Sequence, residues 1–370
     1  MLSSYMAPET SEKPTVVDAQ TRRTSQFFRF AGAALLSTAI ISMSAGTYLG
    51  YSALANSDAR TNVATIPLNQ LSAFNARLDP WSSGFEVITV TPEQSRTRAG
   101  VQMVFLPGNR MPANYEGNLE VAQVFAGEAV SSAIFSYPDN SVRPGETAGR
   151  ADGENDWGSG DQARYTAVYL GETLEAIMPD ESGSKHLIVM AESMGAQVLL
   201  EALQDPGFQA QLQASKTRLT VVLSSPLTDF NATFNASAAN AITHLFGRAG
   251  ALVYQAIQGH SLFDISTTSS AAALNSTSAA LGAGNLKTYI IACSGDPTNP
   301  EASTRGFAKN LISESVLYVL AYKDSHVCTD PSAYPAIGYT VTTTADQPIS
   351  ALPSGVLISF GELVRMIVNN

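Results

Sequence analysis

The sequence is short of charge, of cysteine and of histidine. Of its 370 residues only 14% are charged, and 21 Lys and Arg stand against 32 Asp and Glu, for a net charge of −11. No basic cluster follows residue 60. Neutralising a phosphate backbone needs a basic face, so nucleic-acid binding is excluded. The two cysteines, Cys293 and Cys328, have no zinc-site spacing. Histidines stand only at 186, 244, 260 and 326, too scattered for a histidine-rich metal centre. No nucleotide, flavin or metal motif is present, and no cofactor is expected.

What is plentiful is apolar: 45% of the chain is hydrophobic, enough for a large core. The length exceeds the usual domain, but α/β folds often reach about 250 residues or more as one unit.

Residues 1–29 form a polar amino-terminal segment, in which Arg22, Arg23 and Arg29 precede an uncharged run from Phe30 to Leu54. Basic charge followed by roughly 20 apolar residues reads as a signal peptide or a membrane anchor, here 30–55. Ala53-Leu54-Ala55 is a small-x-small pattern suited to cleavage near Ala55. The Arg22-Arg23 pair partly resembles a twin-arginine signal, although Ser25 and Gln26 stand where that motif wants apolar residues. If the run is retained as an anchor, Gly46 and Gly50 form a small-xxx-small pair for helix contact. Either reading exports the domain, to the extracellular space or the cell envelope, with membrane association through residues 30–54 in the second case.

Residues 56–84, broken by Pro67, Pro80 and Gly84, read as a linker. Beyond them, short apolar runs alternate with helical patterns. FEVITV (85–90), VQMVFL (101–106), SAIFSY (132–137), HLIVMA (186–191), LTVVLS (219–224), TYIIAC (288–293) and VLYVLAY (316–322) read as strands, several apolar on both faces as buried parallel strands are. Helices are expected near 117–130, 161–178, 194–204, 238–258, 304–312 and 354–368. Such alternation predicts an α/β domain over 85–370, a mostly parallel central sheet with helices on both faces.

Two stretches interrupt the rhythm. In the Gly- and Asp-rich stretch 138–160, Asp152, Glu154 and Asp156 alternate as in a calcium loop. Trp157 occupies the place of the turn glycine and no acidic residue closes the loop, so a solvated surface loop is the better reading. Residues 225–286 hold an apolar helical pattern (Ile242, Leu245, Phe246, Ala249, Leu252, Val253) and then a Ser/Thr/Ala tract. Lying where parallel strands end, this insertion is either a lid over a site or an ordinary packing helix. Asn231, Asn235 and Asn275 open N-x-S/T sequons.

The chemistry concentrates where HLIVMA runs into Ala191-Glu192-Ser193-Met194-Gly195 and a helical pattern starts at once. A serine hydroxyl is a poor nucleophile without a base, a group orienting that base, and donors for the oxyanion. A strand-serine-helix turn supplies the first requirement, with Ser193 at a helix amino terminus that favours negative charge. Small residues are needed two before and two after the serine because strand and helix approach closely, and Ala191 and Gly195 meet that need. The other reading is a serine N-cap.

In these residues, over roughly 85–330, the chain resembles the α/β-hydrolase superfamily, with alanine in place of the first glycine of G-x-S-x-G. The resemblance implies a triad in the order Ser, acid, His. It assigns Ser193 as nucleophile, Asp296 in the loop after TYIIAC as acid, and His326 after VLYVLAY as general base. Asp-Pro is also a common turn opener, and Asp229 is the runner-up acid, whereas Asp324 stands too close to His326. The resemblance further implies an oxyanion hole from the backbone N–H of Met194 and, in the Pro107-Gly108-Asn109-Arg110 loop, that of Asn109. In this fold the strands before Asp296 and His326 are neighbours, so Cys293 and Cys328 are a candidate disulfide, or else buried free thiols. SYPDN, a Gly-rich loop, a helix and the elbow also resemble the cutinase-like and related actinobacterial cell-envelope esterases, with AESMG instead of their usual GYSQG. The activity implied is hydrolysis of lipid or acyl esters through an acyl-enzyme. Acyl transfer by the same triad, or a non-catalytic envelope protein on a hydrolase scaffold, are the alternatives.

Overall fold

Each of the seven apolar runs is a strand in the computed structural model, which describes residues 65–80, 86–93, 97–108, 111–136, 160–215, 217–230, 232–233, 265–282, 284–312, 316–321, 326, 328–329, 339–343 and 358–369. They are β2 (Glu86–Val90), β3 (Val101–Leu106), β4 (Ser131–Ser136), β5 (Lys185–Glu192), β6 (Thr217–Ser224), β7 (Leu286–Cys293) and β8 (Val316–Ala321). Two further strands, β1 (Ala76–Pro80) and β9 (Tyr339–Thr343), complete one nine-stranded sheet in the order β1-β2-β4-β3-β5-β6-β7-β8-β9. From β4 to β8 every neighbouring pair is parallel, while β1/β2, β2/β4 and β8/β9 are antiparallel.

The expected linker is thus partly structured. A 3-10 helix (Leu68–Phe74) turns through Asn75, whose φ is 50°, into β1, and Leu71 and Ala76 are buried. Pro80 had argued against a strand, but it ends an edge strand, where a missing N–H is tolerated.

Side-chain alternation divides the interior into two layers. Leu187, Val189 and Ala191 of β5 join one core with Val221, Leu223 and Ile290. Ile188 and Met190 join the other with Met103, Phe105, Val222 and Tyr289. The first layer is covered by α2 (Gly160–Ala176), α3 (Met194–Ala202), α4 (Pro206–Ala214), α5 (Thr267–Leu281) and α6 (Glu301–Lys309). The second is covered by α1 (Glu116–Gly127) and α7 (Phe360–Asn369). Burial on both faces is why the central strands carry unbroken apolar runs.

Two helices lie where none is predicted. Asp205 caps α4 by accepting the Phe208 N–H at 2.9 Å, with Pro206 at the first helical position. Ser266 and Ser269 form a reciprocal capping box at the start of α5. Within the stretch 225–286, α5 buries Ala271 and Leu274 against the sheet layer, so this part is a packing helix. The apolar pattern at 242–257 lies outside the described residues, as do the Gly- and Asp-rich loop, the run 30–55, Asn231 and Asn235. Among the described residues no helix is long and apolar enough to cross a membrane. Asn275 lies inside α5 with its amide engaged at both ends, Nδ2 donating to the Asn310 carbonyl at 3.1 Å and Oδ1 accepting the Ile312 N–H at 2.9 Å.

At the amino-terminal end of the parallel strands, His186 is 2% exposed, with Nε2 2.8 Å from Thr220 Oγ1. Arg218 lies 3.3 Å from Nδ1 and can only donate, so Nδ1 carries the lone pair and the ring is neutral. Burial first, then the charges of Arg218, Arg98 and Lys287, push its pKa from 6.5 down to about 3. Between those values the unfolded chain binds a proton that the folded one refuses. The contribution of His186 to stability is therefore full above pH 6.5 and is lost as pH falls toward 3. The slope from this one group reaches about 1.4 kcal/mol per pH unit. We expect the difference in urea-unfolding stability between wild type and His186→Gln, which keeps a polar group but does not titrate, to shrink steadily from pH 6.5 to 4. A difference constant with pH would contradict the assignment.

Candidate active site

The carboxyl ends of β3, β5, β6, β7 and β8 lie at one edge of the sheet, and residues that follow them build the site. Ser193 falls between the last residue of β5 and the first of α3, with φ 51° and ψ −115°, a conformation L-residues rarely adopt. Three backbone hydrogen bonds hold it there. Its N–H donates to the Ser224 carbonyl at 3.0 Å, and its carbonyl accepts from Leu227 at 3.1 Å and Ala196 at 3.2 Å. Gly195 is required by contact: a Cβ there would overlap the Leu106 carbonyl oxygen and lie 2.6 Å from that of Pro107. Gly108 abuts the serine, since a Cβ on it would sit 3.2 Å from Ser193 Cβ.

The three residues expected to act together do meet. His326 Nε2 lies 2.8 Å from Ser193 Oγ, and His326 Nδ1 lies 3.0 and 3.1 Å from the two carboxylate oxygens of Asp296. A carboxylate facing Nδ1 fixes the proton on that nitrogen and leaves Nε2 to accept from the hydroxyl. Asp296 and His326 are each 8% exposed, while Ser193 is half-buried and within reach of solvent. Asp296 also opens a turn, its Oδ1 accepting the N–H groups of Thr298 at 2.8 Å and Asn299 at 2.9 Å. The acid and turn-opener readings therefore describe one residue. Asp229 instead accepts the Ala232 N–H at 2.9 Å, a local turn contact.

Met194 begins α3, and the first N–H groups of a helix have no acceptor within it. Its N–H therefore stands at the first turn of the helix, next to Ser193. Asn109 and Asp324 lie outside the described residues. Cys293 and Cys328 form a disulfide with a Cα–Cα separation of 5.5 Å, and it ties the end of β7 to the segment carrying His326.

Sequence reasoning missed three buried polar residues here. Asn299 donates through Nδ2 to the Ser225 carbonyl at 2.6 Å and accepts through Oδ1 from Thr233 at 2.7 Å, joining the acid loop to the segment after β6. Thr329 donates to Glu192 at 3.1 Å. Glu192, inside the AESMG motif, was legible as an odd charge at the end of a buried strand; the partners of Asn299 and Thr329 have no local signal. Among the described residues no group of three or more His, Cys, Asp or Glu is placed to hold a metal ion.

Residues 127–309 match the family model described as "Alpha/beta hydrolase of unknown function (DUF900)", a span holding Ser193 and Asp296 and ending before His326. No curated protein matches the sequence. Among solved structures, an esterase from Pyrococcus furiosus is 14% identical, covering 74% of this chain and 92% of its own, with a TM-score of 0.45. One of two fungal esterases from Rhizomucor miehei is 13% identical, covering 89% and 88%, with a TM-score of 0.45. Alpha/beta hydrolase domain-containing protein 10 from mouse is 11% identical, covering 68% and 90%, with a TM-score of 0.38. Strand order, the elbow and the matched family model together give this chain the α/β-hydrolase fold.

The disulfide closes a loop of 35 residues in sequence, a constraint worth about 3–4 kcal/mol in the chain-entropy model. We expect unfolded, unreduced protein to show no reactive thiol, and reduction to lower the urea midpoint by a corresponding amount. Two titratable thiols before reduction would contradict this.

Proposed function

We propose that this chain is a serine hydrolase that cleaves carboxylic esters, of lipid or acyl type, through an acyl-enzyme intermediate. The observation carrying this reading is the unbroken chain of contacts from the Ser193 hydroxyl through His326 to Asp296, with the serine on a strained turn at a helix amino terminus. In the first step Ser193 Oγ attacks the ester carbonyl while its proton passes to His326 Nε2. Asp296 stabilises the imidazolium without taking the proton. The oxyanion forms at the start of α3, where the Met194 N–H and the helix dipole favour negative charge. Gly108 against Ser193 supports assigning the second donor to the neighbouring Asn109 N–H. His326 then protonates the leaving alcohol, and water repeats the sequence to release the acid. Export through residues 30–55, to the envelope or beyond, belongs to the same proposal. The disulfide supports it, since such bonds persist outside the cytosol.

The test is a fluorophosphonate probe followed by p-nitrophenyl esters of graded chain length. Labelling should map to Ser193, and Ser193→Ala should abolish both labelling and turnover. Asp296→Asn should lower kcat by about 10⁴-fold with the fold intact, because the imidazole then holds the wrong tautomer. Asp229→Asn should leave turnover near wild type. Retained activity in Ser193→Ala would remove the nucleophile assignment.

A further inference from the structure

Glu192 is the last residue of β5 and the immediate neighbour of Ser193, and it is 1% exposed. A buried carboxylate is costly unless it is hydrogen-bonded, and an apolar side chain would fill the same space without that cost. Its presence therefore calls for a contact that an apolar group cannot make. Glu192 Oε2 accepts from Thr329 Oγ1 at 3.1 Å, and Thr329 is itself 1% exposed. Thr329 stands three residues after His326, on the segment that supplies the base.

The contacts close a small ring. From Ser193 Oγ it passes to His326 Nε2, along the chain to Thr329, across to Glu192, and back to Ser193 through one peptide bond. Cys328 lies inside this ring, bonded to Cys293 at the end of β7, with Sγ 2.9 Å from Ser225 Oγ just past β6. The disulfide anchors the histidine segment to β7, whereas the Glu192 contact anchors it to the strand that carries the nucleophile. Because Glu192 and Ser193 share a peptide bond, a displacement of the elbow also moves this anchor.

We propose that Glu192 is a positioning residue that, through Thr329, holds His326 in register with Ser193. This rests on the reading of Ser193 as nucleophile and His326 as base. The expected cost of losing the contact follows from geometry, since misplacing a catalytic group by about 1 Å costs on the order of 10²-fold in rate.

The test uses the full-length chain, with fluorophosphonate labelling rate, p-nitrophenyl ester kcat and KM, and melting temperature measured for each variant. Glu192→Leu and Thr329→Val should each lower kcat and the labelling rate about 10- to 100-fold, with KM within about twofold of wild type. Glu192→Gln, whose amide oxygen still accepts from Thr329, should recover most of the loss. The double variant Glu192→Leu/Thr329→Val should be no slower than the slower single variant, because both remove one contact. If Glu192→Leu fails to fold, Glu192→Gln and Thr329→Val, both close in shape to the originals, decide the matter. The proposal is overturned if Thr329→Val keeps wild-type kcat, if Glu192→Gln is as slow as Glu192→Leu, or if the two single effects multiply. Wild type that labels normally alongside unaffected variants would overturn the positioning role alone. Wild type that takes no label would overturn the nucleophile reading and this proposal with it.

Discussion

One strained backbone position organises the site. A positive φ at a non-glycine residue costs about 1–3 kcal/mol, and persists only where the surroundings over-determine it. At Ser193 they do, because β5 is buried along almost its whole length, α3 starts at the next residue, and three backbone hydrogen bonds clamp the turn. The same turn brings α3 so close to the end of β3 that only glycine fits at 195. Gly195 is thus a consequence of the turn, and the turn is what brings the Ser193 hydroxyl to His326.

The two described histidines show how differently one residue type can be surrounded within one sheet. His186 sits at the amino-terminal edge of the sheet among Arg218, Arg98 and Lys287, and both the burial and the neighbouring charges keep it neutral. Its ring spans β5 and β6 through Thr220. His326 sits at the opposite edge with a carboxylate behind it and a hydroxyl before it. A carboxylate stabilises an imidazolium, whereas guanidinium neighbours oppose it. The direction of the parallel strands therefore separates a histidine beside guanidinium groups from one that faces a carboxylate and a hydroxyl.

Much of this was legible in the sequence, and the exceptions have physical reasons. The central strands are readable because burial on both faces leaves continuous apolar runs, and the helix after Ser193 because it follows a strand directly. The edge strands β1 and β9 carry no such run, and Pro67 and Pro80 favoured a linker reading over 68–80. The helix α5 is rich in Ser, Thr and Ala with a weak apolar stripe, so periodicity did not reveal it. Its capping box, and the Asp205-Pro206 start of α4, were the signals available. Ser193, Asp296 and His326 could be singled out because each follows a readable strand and the family resemblance points to those strand ends, and the structure brings the three side chains into contact. Asn299 and Thr329 escape because their worth lies in partners more than 60 residues away along the chain.

The histidine poses a problem that the serine and the acid do not. Ser193 is fixed by its own turn, and Asp296 by the N–H groups of the turn it opens, so both are positioned by their nearest neighbours in sequence. His326 stands in the loop after β8, outside any described strand or helix, and sites on loops are held less precisely than sites on regular elements. Dispersion contacts alone would not correct this, because they fill space without fixing direction. The segment is instead restrained by contacts that do have direction: a covalent bond to β7, a hydroxyl–carboxylate hydrogen bond to β5, and the imidazole's own contacts to Asp296 and Ser193. Because β5, β6 and β7 are adjacent parallel strands in fixed register, these restraints converge on one rigid edge. Precision that regular backbone supplies elsewhere is supplied here by side chains, which is why buried polar groups and the disulfide gather around this one residue.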